Sequence, residues 1–465
     1  MKRILSIFAL LCILQSSLFA QISKKDADAL IQTYLNDNEL NDDTWLYSKS
    51  TAISSLSIPL VLGEYITTPT NNCYVYFLDE NPYAGWVHAC RFLFVQKSNG
   101  NITSTPCNVP PTDLMEWERH FTFNETVLPN DLFSFNHGSR QNQNNVEAEN
   151  CYAVIIDGGQ YSTLNHVRYW NNCAAMYSAL TYCYGYKDEN IYVIMSDGTS
   201  PEDDRFLFDD LDSSPLDLDG DGDDDVMYAA TKTNITAVFN ELSEKLTPND
   251  HLFIYTTGHG QPNPNGGVDM WLWEELISAT EFACEVNKVN AKTINIMMQQ
   301  CFSGGFIPVL SQNGRVITTA CAADEVAWSK ETLTYDEFTY YWVSAVAGHT
   351  PDGSIVNADY NNDGYVSMKE AFNYAEAADI KDETPQYCSI KSHYGEFLTL
   401  LGDNLCSTVY VSNETYTADT ELYGCDVSIS NVSVTNNAKL AIESMGNKLL
   451  NSGTTIELGS SLEIK

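Results

Sequence analysis

The chain has 465 residues, of which 24 are lysine or arginine and 62 are aspartate or glutamate. This length fits about two to four domains, and the 44% of hydrophobic and 12% of aromatic residues exclude a disordered acidic polymer. The net charge of −38 argues against binding to nucleic acid or to an anionic membrane surface, because both require basic residues that face phosphates. The same charge favours solubility and the binding of cations.

Residues 1–20 have the pattern of a secretory signal peptide. A basic start at Lys2 and Arg3 precedes the apolar run 4–14, and Leu18-Phe19-Ala20 is the predicted cleavage site before Gln21. No later apolar run is long enough for a transmembrane segment. We therefore expect a secreted or cell-surface protein that is cleaved after residue 20.

Export makes the redox state of the cysteines an open question. Twelve of the thirteen cysteines follow residue 20, and their spacing contains no paired CxxC motif of a zinc ribbon. Six disulfide bonds are one interpretation. If one cysteine is instead a reactive nucleophile, at least one more must also stay reduced, and the count alone does not decide between the two.

Three regions follow the signal peptide. Residues 21–145 begin with a helical pattern, continue as a β-rich stretch and resemble a pro-domain, with an Asn- and Gln-rich linker at 139–150. Residues 146–400 alternate short apolar strands with helices, which indicates a mostly parallel sheet covered on both faces. Residues 401–465 alternate with period two and predict a small all-β domain, stacked like the rungs of a β-helix.

Two strands of the predicted parallel sheet end in residues that can do chemistry. One strand runs into Gly258-His259-Gly260 and another runs into Gln300-Cys301. Since the sites of parallel sheets lie just past the carboxyl ends of the strands, the imidazole and the thiol can meet there. Either residue alone is more often structural than catalytic. Their matching positions, next to glycines that allow close backbone approach, favour a catalytic pair.

These strand ends resemble the caspase–legumain superfamily of cysteine peptidases, and above all its legumain-like branch. The resemblance covers about residues 151–380 and implies a caspase-like α/β/α sandwich. It also implies that Cys301 attacks the scissile carbonyl and that His259 protonates the leaving amine. The N–H groups of Gly260 and Cys301 would then form the oxyanion hole.

The substrate pocket is less well defined by the sequence. Legumain has an acidic residue two positions before its nucleophile that helps to define an asparagine pocket, and Gln299 stands at this position here. Asp157, Asp324 and Glu325, which follow other predicted strands, are further candidates for the pocket wall. Asn165 and Arg168 are candidates for the opposite wall, and a surface role is the alternative for both. Together with the acidic composition, the carboxylates favour Arg or Lys over Asn before the scissile bond.

A second motif predicts a calcium site in the same domain. Residues 359–370 fit the twelve-residue EF-hand loop, in which oxygen ligands at alternating positions and a final bidentate glutamate surround the ion. Gly364 stands at the sharp turn. The predicted ligands are Asp359, Asn361, Asp363, Tyr365, Ser367 and Glu370.

The acidic segment 202–225 is a second candidate for calcium. It contains twelve acidic residues and one arginine, and Tyr228 stands where an EF-hand loop would have its glutamate. Such a run is either a solvated loop or a cation site. Closely spaced carboxylates make it harder for one another to ionise, and a bound cation removes this repulsion, so we favour the cation site. The predicted ligands are Asp217, Asp219, Asp221, Asp223 and Asp225.

The sequence thus predicts a secreted bacterial cysteine endopeptidase that cleaves peptides or proteins through a thioester intermediate. We expect it to be stabilised by Ca²⁺ and activated by removal of residues 21–145. Capture of the thioester by an amine would make it a transpeptidase instead. The alternative from another class is a non-catalytic, calcium-dependent surface or adhesion protein on the same scaffold. The oligomeric state is not predicted.

Overall fold

The computed structural model describes most of the chain after residue 20, in two compact units, Met1–Val127 and Leu128–Lys465. The predicted signal peptide and most of the predicted linker 139–150 lie outside the described residues, and the boundaries near 146 and 401 stay predictions. The described residues are 21–38, 44–60, 65–80, 89–114, 117–120, 148–207, 210–351, 353–403, 405 and 407–464.

The first unit consists of one helix and antiparallel strands. Helix α1 (Lys24–Asp37) begins after Ser23, whose side chain forms a capping box with Asp26. The helix packs through Ala27 and Ile31 on a five-stranded sheet with the order β6-β5-β4-β1-β7, and β2 pairs with β3. The strands are β1 (Trp45–Ser48), β2 (Ser57–Pro59), β3 (Tyr65–Thr67), β4 (Cys73–Asp79), β5 (Cys90–Gln96), β6 (Ile102–Cys107) and β7 (Glu118–His120).

A seven-stranded sheet forms the centre of the second unit. Its order is β12-β9-β8-β13-β17-β18-β19, and β19 alone runs antiparallel to its neighbour. The inner strands are apolar runs that are buried on both faces, as a sheet between helices requires. The strands of this part are β8 (Cys151–Asp157), β9 (Ile191–Met195), β10 (Arg205–Phe206), β11 (Leu211–Asp212), β12 (Val226–Tyr228), β13 (His251–Thr257), β14 (Gly260–Pro262), β15 (Val268–Trp271), β16 (Leu276–Ser278), β17 (Thr293–Met298), β18 (Arg315–Thr319) and β19 (Gln386–Ser389).

Helices cover this sheet in two groups, α2 with α6 and α7, and α3 with α4 and α5. In the first group Trp342 stacks on Phe253 of β13, with the ring centroids 5.6 Å apart. In the second group Phe239 and Phe282 meet edge-on. The predicted α/β fold with a mostly parallel sheet is confirmed. The helices are α2 (Val167–Ser178), α3 (Lys232–Lys245), α4 (Ala279–Val286), α5 (Ile307–Leu310), α6 (Glu337–Ala347), α7 (Met368–Ala378) and α8 (Tyr394–Phe397).

The end of the chain forms a small parallel β-helix. Each turn contributes one strand to each of three sheets, β20-β23-β26, β21-β24-β27 and β22-β25-β28. Inward-facing apolar side chains such as Ile429 and Leu440 fill its core, and the ring of Tyr423 stacks on His393 at 3.8 Å. The strands are β20 (Val409–Ser412), β21 (Thr415–Tyr416), β22 (Thr420–Gly424), β23 (Val427–Ser430), β24 (Ser433–Val434), β25 (Lys439–Ser444), β26 (Lys448–Leu450), β27 (Thr455–Ile456) and β28 (Ser461–Ile464).

The cysteines do not form the six disulfide bonds of one sequence interpretation. Cys425 is disulfide-bonded, whereas ten other described cysteines hold thiols, most of them buried on separate elements of the cores. Cys90 and Cys107 differ from the rest because they lie opposite each other on β5 and β6. The ten are Cys73, Cys90, Cys107, Cys151, Cys173, Cys183, Cys284, Cys301, Cys321 and Cys388.

In the part of the chain that the structure describes, no helix combines the length and apolarity that crossing a membrane demands.

Replacing Trp342 by alanine should lower the free energy of unfolding by about 3–5 kcal/mol, because it opens a cavity between α6 and the sheet. Urea denaturation followed by circular dichroism measures this loss. Tyr410→Ala is the control, since this ring is 79% exposed, and it should change the free energy by less than about 0.5 kcal/mol. Equal losses for the two variants would contradict the packing described.

Candidate active site

The two sequence motifs lie at one edge of the central sheet. β13 and β17 are adjacent and parallel, with Thr256 beside Met298. Gln299 N–H donates to Thr256 O at 2.8 Å and extends this pairing beyond the end of β17. The chain segments that carry His259 and Cys301 therefore leave the sheet side by side, at the carboxyl ends of the strands.

Glycines bring the loop of His259 against the loop of Cys301. A Cβ atom at Gly260 would lie 2.0 Å from the carbonyl oxygen of Cys301, a distance that no side chain tolerates. Gly258 has a φ of +99°, in the left-handed region that favours glycine, where the chain leaves β13. The glycines on both sides of His259 are thus required by the turn and by the close approach.

His259 is held by a carbonyl group and by two neighbouring rings. Its side chain is buried, and Nε2 lies 2.9 Å from Leu164 O. Tyr169 and His166 stand edge-on to the imidazole, with centroid distances of 5.3 and 5.8 Å. Donation from Nε2–H to the carbonyl leaves Nδ1 as the basic nitrogen of the neutral ring. The ring therefore has a fixed orientation and tautomer, as a general acid–base residue needs.

Cys301 lies under the loop that follows β18. Its side chain is buried, and Sγ accepts a hydrogen bond from Ala327 N–H at 3.3 Å. Phe302, which adopts a left-handed φ of +59°, donates its N–H to Glu325 O at 2.8 Å. An N–H group directed at sulfur stabilises the negatively charged form, and the thiolate is the reactive form of cysteine.

A buried ion pair contacts Tyr169, the residue that packs against His259. Arg168 Nε donates to Asp336 Oδ1 at 2.9 Å, and Arg168 Nη2 donates to the hydroxyl of Tyr169 at 2.9 Å. Burial by itself lowers the pKa of Arg168, but Tyr169 and Asp336 raise it above its ordinary value, so the guanidinium remains charged. The pair fixes Tyr169 against the imidazole and places a positive charge where it interacts with Cys301.

Three of the residues predicted to line the pocket occupy different environments. Asp157 ends β8 and is fully buried, which raises the pKa of its carboxyl to about 8 although Gly159 N–H donates to it. Gln299 is buried against α6, where Oε1 accepts from the backbone N–H and the hydroxyl of Thr339. Asp324 is exposed in the loop after β18. Of the three, Asp324 presents a carboxylate to solvent.

The predicted EF-hand loop, residues 359–370, is organised around its first and last carboxylates. Asp359 accepts two backbone N–H groups from the turn at Gly364, where φ is +91°. Glu370 is buried and accepts two backbone N–H groups from the start of the loop, while its other oxygen caps α7. Both carboxylates face the loop, as the ligands of such a calcium site must. The other predicted ligands, Asn361, Asp363, Tyr365 and Ser367, lie between them.

Three of the five acids in the second predicted calcium loop form a cluster. Carboxylate oxygens of Asp217, Asp219 and Asp225 all lie within 4.8 Å of one another. Burial, with the neighbouring carboxylates, raises the pKa of Asp225 to about 6, and Asp219 Oδ1 is buried with no donor among the described residues. These oxygens fit a hard divalent cation. Asp221 and Asp223 are exposed and lie outside the cluster.

Several contacts of the pair were not identified from the sequence. Leu164 O and Ala327 N–H are backbone groups, which every residue type other than proline can supply, so no motif points to them. Asp336 stands at the N-cap of α6, a position where aspartate is common for local reasons. Arg168, a predicted residue of the opposite pocket wall, is instead buried and paired with Asp336, and no sequence signal points to this pairing.

The peptidase C13 family model matches residues 151–389, just over half of the chain. Among solved structures, the protein GSU0716 from Geobacter sulfurreducens is similar to 51% of this chain over 92% of its own length, with 10% sequence identity and a TM-score of 0.32. No curated protein matches the chain. The family match includes the ends of β13 and β17 with His259 and Cys301. The chain therefore belongs to the peptidase C13 family, the legumain family of cysteine peptidases.

Proposed function

We propose that this protein is an active endopeptidase, with Cys301 as the nucleophile and His259 as the general acid–base. One observation carries the proposal: both residues follow adjacent parallel strands within a cysteine peptidase domain, and Gly260 touches the backbone of Cys301. Neither residue alone would support it, because buried cysteines and histidines are commonly structural.

The mechanism begins with a proton transfer from the Cys301 thiol to His259. The thiolate then attacks the scissile carbonyl carbon, and the N–H groups of Gly260 and Cys301 stabilise the oxyanion. His259 returns the proton to the leaving amine as the carbon–nitrogen bond breaks, which leaves a thioester on Cys301. Water, activated by His259, hydrolyses this thioester and regenerates the thiol.

The surroundings of the pair support each of these roles. The contact of His259 Nε2 with Leu164 O stabilises the imidazolium that forms transiently, and Ala327 N–H favours the thiolate before attack. Water or an amine can receive the acyl group of the thioester, which gives hydrolysis or transpeptidation. No described contact distinguishes transpeptidation from hydrolysis, so hydrolysis is the proposal.

Cys301→Ala should abolish turnover of a fluorogenic peptide library, and His259→Ala should lower kcat by about 10²–10⁴-fold, because they remove the nucleophile and the proton carrier. The assay uses protein that begins at Glu147 and contains calcium and reductant. Cys284→Ala is the matched control, since this thiol is exposed on α4, and it should retain wild-type activity.

Turnover that persists in Cys301→Ala would contradict the proposed mechanism. The non-catalytic scaffold predicts a different pattern, namely no turnover by the wild type and no selective loss of thiol labelling in Cys301→Ala. Labelling of the native protein with iodoacetamide, followed by mass spectrometry, separates these outcomes because a catalytic cysteine must be reduced and reactive.

We further propose that the residue before the scissile bond is Arg or Lys. The exposed carboxylate of Asp324 and the net charge of −38 support this preference. Asp157 and Gln299 contribute little to it, because the former is neutral at pH 7 with a pKa of about 8 and the latter is bonded to Thr339. The library measures this directly, and faster cleavage after Asn would contradict it.

Calcium binding is a structural part of the proposed function. The carboxylates of Asp359 and Glu370 face the EF-hand loop, and the cluster of Asp217, Asp219 and Asp225 brings like charges together. A divalent cation in each place would offset the repulsion between these carboxylates and order the loop. Thiol chemistry needs no Lewis acid, so we assign the cations a stabilising role.

Removal of calcium with EDTA should lower the melting temperature of the wild type, and added Ca²⁺ should restore it. At 100 times Kd the stabilisation is about 2.7 kcal/mol per site. Glu370→Gln and Asp219→Asn should each reduce the calcium-dependent shift, and Glu376→Ala, exposed on α7 outside the loop, should leave it unchanged. A melting temperature that does not respond to EDTA in the wild type would exclude structural calcium.

We also propose that the protein is exported and that residues 21–145 restrain its activity until proteolysis in the segment 139–150 removes them. The signal-peptide pattern of residues 1–20 and the polar, Asn- and Gln-rich sequence of the linker support this.

Protein that begins at Glu147 should therefore be more active than protein that begins at Gln21. The comparison uses the same fluorogenic peptide, with the Cys301→Ala form of each protein as the blank. Equal activity of the two forms, without cleavage of the longer one, would show that residues 21–145 are not inhibitory.

A further inference from the structure

A set of hydrogen bonds connects the segment that follows α7 with the loop that covers Cys301. Trp328 N–H donates to Glu383 Oε2 at 3.1 Å, and the indole N–H of Trp328 donates to Asp382 O at 3.1 Å. Both the backbone and the side chain of Trp328 are thus held by two successive residues. The backbone N–H and the indole N–H of Trp328 thus have separate acceptors.

The same segment holds the loop at a second place. Glu325 Oε2 accepts the backbone N–H of Thr384 at 2.8 Å, and Oε1 accepts the hydroxyl of Thr384 at 2.8 Å. The Glu325 carboxylate also accepts Ala322 N–H at 3.1 Å and so closes the loop on itself. Residues 382–384 therefore tie down the loop 322–328 at Glu325 and at Trp328.

Between these two attachment points, Glu325 and Trp328, the loop contacts Cys301, the proposed nucleophile. Ala327, directly before Trp328, donates its N–H to Cys301 Sγ at 3.3 Å. Glu325 O accepts the N–H of Phe302, directly after Cys301, at 2.8 Å. A displacement of Trp328 would therefore move an N–H group that donates to this sulfur.

The carboxyl of Glu383 contacts the carboxyl of Asp379. Burial, and then contact with Asp379, raise the pKa of Glu383 well above its ordinary value, and burial also raises that of Asp379. Glu383 Oε1 and Asp379 Oδ2 have no other donor among the described residues. A proton on Glu383 would allow its carboxyl to donate to the neighbouring Asp379, while Oε2 accepts from Trp328 N–H. Lys381 and Lys330 are the basic groups that act on Asp379.

We propose that Glu383 is a positioning residue for Cys301, which acts through Trp328 and Ala327 N–H. Held by Asp379, its carboxyl keeps the covering loop at hydrogen-bond distance from the sulfur and so maintains the reactivity of the thiol. This inference rests on the proposed function, because it concerns the residue assigned as nucleophile.

Two substitutions of Glu383 test the proposal. Glu383→Ala removes the acceptor of Trp328 N–H and should lower kcat about three- to tenfold with little change in KM. Glu383→Gln is isosteric with the protonated acid: its amide N–H donates to Asp379 and its oxygen accepts from Trp328 N–H. We expect it to retain activity within about twofold. Asp382→Ala is the matched control, because only the backbone carbonyl of Asp382 contacts Trp328.

A second measurement separates this proposal from the proposed function. The rate at which iodoacetamide alkylates Cys301, followed by mass spectrometry, requires no substrate and should fall in Glu383→Ala but not in Glu383→Gln. If the wild type has no turnover and this pattern still holds, the positioning role stands and the peptidase activity does not.

The proposal is overturned if Glu383→Ala matches the wild type in both kcat and alkylation rate. It is also overturned if Glu383→Gln is as impaired as Glu383→Ala, because the hydrogen bonds would then not be the cause. Melting temperatures identify a variant that does not fold. In that case Thr384→Val, which removes one hydroxyl contact with Glu325, should lower the alkylation rate by up to about threefold, and an unchanged rate would reject the proposal.

Discussion

Parallel pairing of β13 with β17 is the constraint on which the rest of the site depends. In a parallel sheet both chains leave the same edge, so the backbone pairing of the two strands brings together the residues that follow them. Helices on both faces bury the sheet and keep this edge in place. The close approach of Gly260 to Cys301 follows from that register and excludes any side chain at this position.

Backbone groups, more than side chains, hold His259 and Cys301 in place. Leu164 O holds the imidazole and Ala327 N–H holds the sulfur, and both are parts of loops that other elements fix. The buried pair of Arg168 and Asp336 has a similar supporting role through Tyr169. Such indirect support is costly to remove, because one partner would remain charged inside the protein.

The strong acidity of the chain has two different physical consequences. Exposed acids such as Asp324 contribute to the negative electrostatic potential at the surface and to solubility. Clustered or buried acids, such as Asp225 and Glu383, have a raised pKa, because water no longer solvates their charge. The composition predicts the acidic surface, but the local burial of each carboxyl decides whether its pKa is raised.

Apolar periodicity is a local property of a chain, so the sequence is enough to predict the α/β architecture, the β-strands of residues 401–465, and that His259 and Cys301 each follow a strand of the sheet. It does not reveal how the cysteines are bonded, that Gln299 faces α6, or that Asp217, Asp219 and Asp225 converge. Contacts such as Trp328 with Glu383 join residues 55 positions apart. They arise from the packing of α7 beside the covering loop, and the tertiary structure alone decides them.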